Sequence, residues 1–327
     1  MGYNKEYNNI EQLFTKLNLG KVTEIEEIDD NLYDSFVVRT NSKEYQVLCY
    51  SKRTINNKLG LLEKVEQIKA MEFLRNNGVP VILPMKFGND YFLSLKKDNY
   101  LIYENDDYRY LTNKDLDEKK IKKLANTQAI IHKLNIKVPL PCPYESVNIN
   151  FQRIVGKISK KDAELGELIY DNIYLLDDII ENCNKGLKYA ENVLCLSYDY
   201  YNLYEIKWDK DYIYLKDFEN CALVNPTVSL AEAAYDFTRI NDTINYDLYA
   251  DYIKSYLKKY GQVTFDYKEA LNVSLNKQLL YLEELLKLCL KGVDEAIDET
   301  KKVIEELIFY SQNIDKLHEI YINVVKQ

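Results

Sequence analysis

The chain has 327 residues, 46% hydrophobic and 29% charged, enough length and apolar content to bury more than one core. A net charge of −9 and a pI near 5.1 exclude nonspecific nucleic-acid binding, which needs a cationic face to release phosphate counterions. Two histidines, His132 and His318, leave almost nothing for a histidine metal site or a Ser-His-Asp triad.

The N-terminus, MGYNKEYNNIEQLF, lacks the apolar core of a signal peptide, and no run approaches the roughly 20 apolar residues that span a bilayer. The reading is a protein made in the cytoplasm, with no membrane partner. Cys49, Cys142, Cys183, Cys195, Cys221 and Cys289 form no Cys-x-x-Cys pair and read as free thiols. Tyrosine is abundant, 30 residues against 10 of phenylalanine, and each adds apolar area with a polar tip suited to interfaces. A codon bias that also favours Asn, Lys and Ile accounts for the same excess.

In chain order, IEQLFTKLNLG (10–20) predicts a short amphipathic helix ending at Gly20. VTEIEEI, YDSFVVRT and YQVLCY read as three strands, with Thr40 to Lys43 turning between the last two. Leu62, Val65, Ile68 (or Lys69), Met71 (or Glu72) and Phe73 recur at helical spacing, and Gly78 closes that helix. VPVILPMKF, YFLSLKK and YLIYE return to strand, ending near Glu104. From Asn113 the pattern is helical, with Asp115 in the first turn and Ile121, Leu124, Ala125, Gln128 and Ile131 along one face. PLPCPY interrupts, 159–190 is helical again, and everything from about 227 onward reads as helix, including one long helix over 269–293. The expectation is an α+β chain of two lobes, a small antiparallel β lobe with one helix over 1–104 and a larger, mostly helical lobe over 105–327.

Between the helical segments lies LCLSYDYYNLYEIKWDKDYIYLKDFENCAL (194–223), which sets Ser197-Tyr198-Asp199 and Asp217-Phe218-Glu219 on either side of a strand-like run. Asp217 follows the alternation of Tyr212 and Tyr214, as a carboxylate at a strand end does. This order of features resembles the protein-kinase-like fold of the aminoglycoside phosphotransferase and choline kinase family, and within it the CotS-like spore coat branch. LANTQAIIHKLN places His132 where that family has a helix histidine of structural use. The family's loop, H-G-D-x-H-P-x-N, is matched by Ser197-Tyr198-Asp199, and its later D-F-E or D-F-D by Asp217-Phe218-Glu219. The resemblance implies ATP and Mg²⁺ as cofactors, Asp199 as the base that takes the acceptor hydroxyl's proton, and Asp217 as a metal ligand.

The departures are specific. Ser197 and Tyr201 replace the loop's histidines, and its metal-binding Asn falls on Tyr204, leaving Asn202 two residues early and Glu205 one residue late as alternative oxygen donors. Cys49 stands where the family has its nucleotide-gripping lysine, with Glu66 the matching acidic partner on the next helix. Losing that lysine and the Asn removes charge stabilisation from a reaction that depends on it; one missing donor can cost about 10²–10³ in rate. The leading reading is therefore a kinase-fold spore coat protein with a degraded site, partnered by other coat proteins. The second is a small-molecule phosphotransferase, with Glu232 and Asp236 of SLAEAAYDFTRI as acids for a cationic hydroxylated acceptor, and the third a nucleotide sensor without turnover.

Overall fold

The computed structural model describes the chain apart from residues 1–4, 29–33, 51–57, 106–108, 135–139, 141, 199–200, 202, 204–205, 211, 217–220, 242, 261–262 and 327. Two compact units form, one of residues 1–110 with 207–219, the other of 111–206 with 220–327. The first unit thus takes back a short return segment from the middle of the chain.

In the first unit, helix α1 (Lys5–Leu17) precedes strands β1 (Val22–Ile28), β2 (Asp34–Thr40) and β3 (Glu44–Tyr50). Helix α2 (Lys58–Asn76) follows, then β4 (Leu93–Leu95) and β5 (Asp98–Glu104). The sheet is antiparallel in the order β1-β2-β3-β5-β4. Side chains alternate between its faces, so one strand serves two cores. Phe36, Val38, Tyr45, Val47, Cys49, Tyr100 and Ile102 face Ile10, Leu13 and Phe14 of α1, while Leu48, Tyr50, Leu101 and Tyr103 face Ile68 of α2. Ile68, Met71 and Leu74 bury the inner face of α2, whereas Phe73, counted with them in sequence, is 42% exposed.

The expected strand over VPVILPMKF does not form. Residues 79–87 run as irregular backbone with only isolated bridges, Val81 to Leu215 and Phe87 to Asp90. Pro80 and Pro84 each lack the amide proton that a strand ladder needs. The hairpin of β7 (Ile206–Asp209) and β8 (Tyr212–Leu215) lies against this stretch: Leu215 donates to the Pro80 carbonyl and Ile82 to that of Leu215, both at 2.8 Å.

The second unit holds helices α3 (Glu118–Leu134), α4 (Phe151–Ile158), α5 (Ala163–Ala190) and the strand β6 (Cys195–Tyr198), then β9 (Cys221–Val224) and α6 (Pro226–Thr238). A small hairpin, β10 (Arg239–Ile240) with β11 (Thr243–Ile244), leads to α7 (Tyr246–Tyr260), α8 (Tyr267–Val273), α9 (Asn276–Lys291) and α10 (Glu295–Val325). The helix expected from Asn113 begins later. Thr112 to Asp115 make a capped 3₁₀ turn, and α3 starts where the Asp117 carboxylate accepts the Lys120 amide. The expected long helix over 269–293 is two helices, α8 closed at Ser274 and α9 ending in left-handed Gly292 (φ 89°).

Helix α6 is the buried centre of this unit. Asn225 caps it by accepting the amides of Thr227 and Val228, Pro226 occupies the first turn, and nearly every later side chain is buried. Among the described residues no helix is long and apolar enough to cross a membrane.

Candidate functional site

Asp199, Asn202, Glu205 and Asp217 lie outside the described residues. The strands that deliver the two aspartates are described, one in each unit, and each is firmly held.

Strand β6, ending one residue before Asp199, pairs antiparallel with β9 over Cys195 to Tyr198. Ser197, the residue at the loop's first histidine position, sits in a buried polar chain. Its hydroxyl lies 3.0 Å from His132 Nε2 and 3.2 Å from the Ser229 hydroxyl, and the Gln128 amide donates to Ser229 Oγ at 3.0 Å. Tyr252 donates to the Gln128 carbonyl oxygen at 2.9 Å, and the Tyr256 hydroxyl lies 2.6 Å from His132 Nδ1. One proton assignment satisfies the chain: Gln128 donates to Ser229, Ser229 to Ser197, Ser197 to His132 Nε2, and His132 Nδ1–H to Tyr256. It requires neutral histidine, and burial holds the imidazole down to about 3. His132 therefore braces the strand before Asp199. Tyr201, at the loop's second histidine position, is also buried, its hydroxyl donating to the Leu124 carbonyl at 3.1 Å.

Strand β8 brings the chain to Asp217 in the first unit, anchored by the Pro80 to Ile82 backbone. The residue between them, Lys216, is 5% exposed. Its amine donates to the Gln46 side-chain oxygen on β3 and lies 5.6 Å from the centre of the Tyr103 ring on β5. Gln46 and Tyr103 are register partners, on the sheet face that carries Leu48 and Tyr50.

Cys49 lies on the opposite face, wholly buried in the α1 core, where burial pushes its thiol up to about 12. Glu66 is half-buried on α2 and pairs with Lys69 at 2.6 Å, one helical turn along. Of the acids on α6, Glu232 pairs with Lys277 at 3.1 Å, both side chains 16% exposed. Asp236 lines a cavity of about 560 Å³ with Asn113, Lys114, Arg239 and Glu306. No hydrogen bond satisfies the Asp236 carboxyl among the described residues; burial first and Glu232 second push it up to about 7.

Among the described residues no cluster of three or more His, Cys, Asp or Glu side chains is placed to hold a metal. The donors read from sequence, Asp217 with Asn202 or Glu205, are all oxygen, the set Mg²⁺ accepts. Two described features escaped the sequence reading. Lys216 had one signal, a charge directly after an alternating apolar strand, while the partnership of Ser229 with Ser197 spans 32 residues and had none.

No family model matches the chain, and no curated protein matches it in sequence. Solved structures do. The spectinomycin phosphotransferase solved with ADP and spectinomycin has a TM-score of 0.64 at 13% identity, covering 92% of this chain and 98% of that one. A putative aminoglycoside phosphotransferase from Ralstonia eutropha gives 0.63 at 15%, covering 95% and 98%, and the choline kinase LicA from Streptococcus pneumoniae 0.57 at 13%, covering 93% and 99%. At such identities the likeness is one of fold: this chain has the protein-kinase-like fold of aminoglycoside phosphotransferases and choline kinases.

Proposed function

We propose that the chain binds a magnesium nucleotide and transfers its terminal phosphoryl group to a small hydroxylated acceptor. The observation that carries this reading is the buried chain of Gln128, Ser229, Ser197, His132 and Tyr256, which holds the strand that precedes Asp199 in sequence. Each of these groups would cost about 1–3 kcal/mol if left unsatisfied, so the chain fixes the strand that leads to Asp199. Positioning is most of what phosphoryl transfer asks of a protein.

In the reaction, the bond from the terminal phosphorus to its bridging oxygen breaks, a bond to the acceptor oxygen forms, and the acceptor's proton passes to Asp199. Asp217, with Asn202 or Glu205, would hold the metal, whose positive charge offsets that of the phosphates. Asp236, with no side-chain hydrogen bond among the described residues and lining a cavity, is the acid of α6 left to meet a cationic acceptor, since Glu232 is occupied by Lys277. Solved proteins of this fold support the nucleotide: ADP accompanies the spectinomycin enzyme, and AMP-PNP with Ca²⁺ an amicoumacin kinase.

The test is ATP consumption over a panel of hydroxylated amines. Turnover with one of them, abolished by Asp199→Asn, is the expected result; unchanged turnover in that variant refutes the assignment.

A second reading, a CotS-like spore coat component with a degraded site that is made in the cytoplasm and assembled with other coat proteins, is favoured by the tyrosines of α5. Tyr170 and Tyr174, one turn apart, are 70% and 84% exposed, as residues of an assembly surface are. A diffuse cytoplasmic signal throughout sporulation counts against it.

A further inference from the structure

The cavity beside α6 lies wholly within the second unit. Asp236 and Arg239 line it from the end of α6, Asn241 from the small hairpin, Glu306 from α10, and Asn113 and Lys114 from the 3₁₀ turn. Its volume of about 560 Å³ falls in the range of small-molecule sites. Asn113 ties rim to wall: its side-chain amide donates to the main-chain carbonyl of Asp236 and, at 2.6 Å, to that of Arg239. The turn that carries Lys114 is therefore fixed to the helix end that carries Asp236.

Four charged side chains line the cavity, and two of them satisfy each other. Arg239 lies 3.5 Å from Glu306, donates through Nε to the Asn241 carbonyl at 3.0 Å, and lies over the rings of Tyr235 and Phe309, 5.9 and 5.4 Å from their centres. The other two are uncommitted. No hydrogen bond or ion pair among the described residues holds the Asp236 carboxyl or the Lys114 amine. Asp236 is partly buried and Lys114 exposed, which sets the acid in the wall and the cation at the mouth. A ligand that is only positive meets a like charge in Lys114, and one that is only negative meets a like charge in Asp236. A ligand carrying both charges complements both residues.

We propose that this cavity binds a small hydroxylated zwitterion of the amino-acid type, its ammonium on Asp236 and its carboxylate on Lys114. The proposal rests on the reading of Asp236 as an acceptor-binding acid and narrows that acceptor from any cation to a zwitterion. Asp236 accepts from an ammonium through both oxygens only after losing its own proton. Burial first and Glu232 second push its carboxyl up to about 7, against Lys277 and Arg239, with Glu306 also raising it. Affinity therefore rises with pH through neutrality.

The experiment is calorimetric titration of the full chain, without nucleotide, with three probes: L-serine; ethanolamine, which is serine without its carboxylate; and 3-hydroxypropionate, which is serine without its ammonium. At pH 8 serine is expected to bind about tenfold more tightly than either of the others. Lys114→Gln should bring serine down to the affinity of ethanolamine and leave ethanolamine no weaker. Asp236→Asn should bring serine down to the affinity of 3-hydroxypropionate. From pH 8 to pH 6 the wild type should lose about tenfold in serine affinity, and Asp236→Asn should lose none. Lys114 is exposed, so its variant preserves the test if Asp236→Asn does not fold. Serine no tighter than the other probes, serine affinity unchanged in either folded variant, a pH dependence that survives in Asp236→Asn, or binding of none of the three overturns the proposal. Binding of MgATP is read separately. A chain that binds MgATP but no probe loses the zwitterion site alone, whereas one that binds serine but not MgATP keeps that site and loses the phosphoryl-transfer reading.

Discussion

The Ser197 hydroxyl, two residues before Asp199, is one link in a buried polar chain. Ser197→Ala leaves His132 Nε2 without its donor and Ser229 without its acceptor. We expect a loss of about 1–3 kcal/mol in urea unfolding and, on the proposed function, a larger fall in activity than in nucleotide affinity, because the strand it loosens leads to Asp199 and not to Asp217. Asp236 gives a prediction of a different kind. Glu232 of its own helix, Lys277 of α9, Arg239 at the end of α6 and Glu306 of α10 surround it, and burial raises its carboxyl from 3.8 to about 7. The folded chain thus holds this proton more tightly than the unfolded chain. That contribution to stability is complete below about pH 4 and is lost as pH rises through 7. Asp236→Asn, measured against wild type at each pH, should be more stable by about 1–3 kcal/mol at pH 8 and gain nothing at pH 4. A difference that does not change with pH contradicts the assignment. The sequence named His132 and Asp236 but not their surroundings. The partners of His132 lie 65 and 124 residues away, and spacing along a helix says nothing of them.

Helix and strand identities were mostly readable, because a buried face leaves a period of 2 or 3.6 in the sequence. The strands β1 to β3, with β5, and the helices α2, α3 and α5 follow that rule. It failed where backbone chemistry overrides side-chain pattern. Residues 79–87 are apolar enough for a strand, but Pro80 and Pro84 leave only isolated bridges, and the 269–293 pattern hides the break at Ser274 and Leu275. Close helix contacts are equally silent in sequence. Gly166, near the start of α5, would place an added Cβ against the Ser159 hydroxyl and 2.7 Å from Ser159 Cα, so backbone as well as a movable side chain stands in the way. Gly166→Ala should destabilise by about 1–3 kcal/mol in denaturant unfolding despite alanine's better helix propensity; a neutral or stabilising result contradicts this packing.

Across the whole molecule, the order of lobes was legible because each has its own composition of elements, a five-stranded antiparallel sheet with α1 and α2, and a helical unit built around α6. The return of 207–219 to the first unit was not, since an apolar hairpin between helices carries no mark of which core it joins. That return places the Lys216 amine against Gln46 of β3 and Tyr103 of β5. The central claim is that this fold binds a magnesium nucleotide through Asp217. The most direct measurement is thermal unfolding of the chain with and without MgATP, beside the Asp217→Ala variant. Ligand at 100 times its dissociation constant stabilises the native state by about 2.7 kcal/mol, and we expect a clear rise in Tm that Asp217→Ala abolishes. An unchanged Tm at saturating MgATP, or an equal rise in the variant, contradicts the claim.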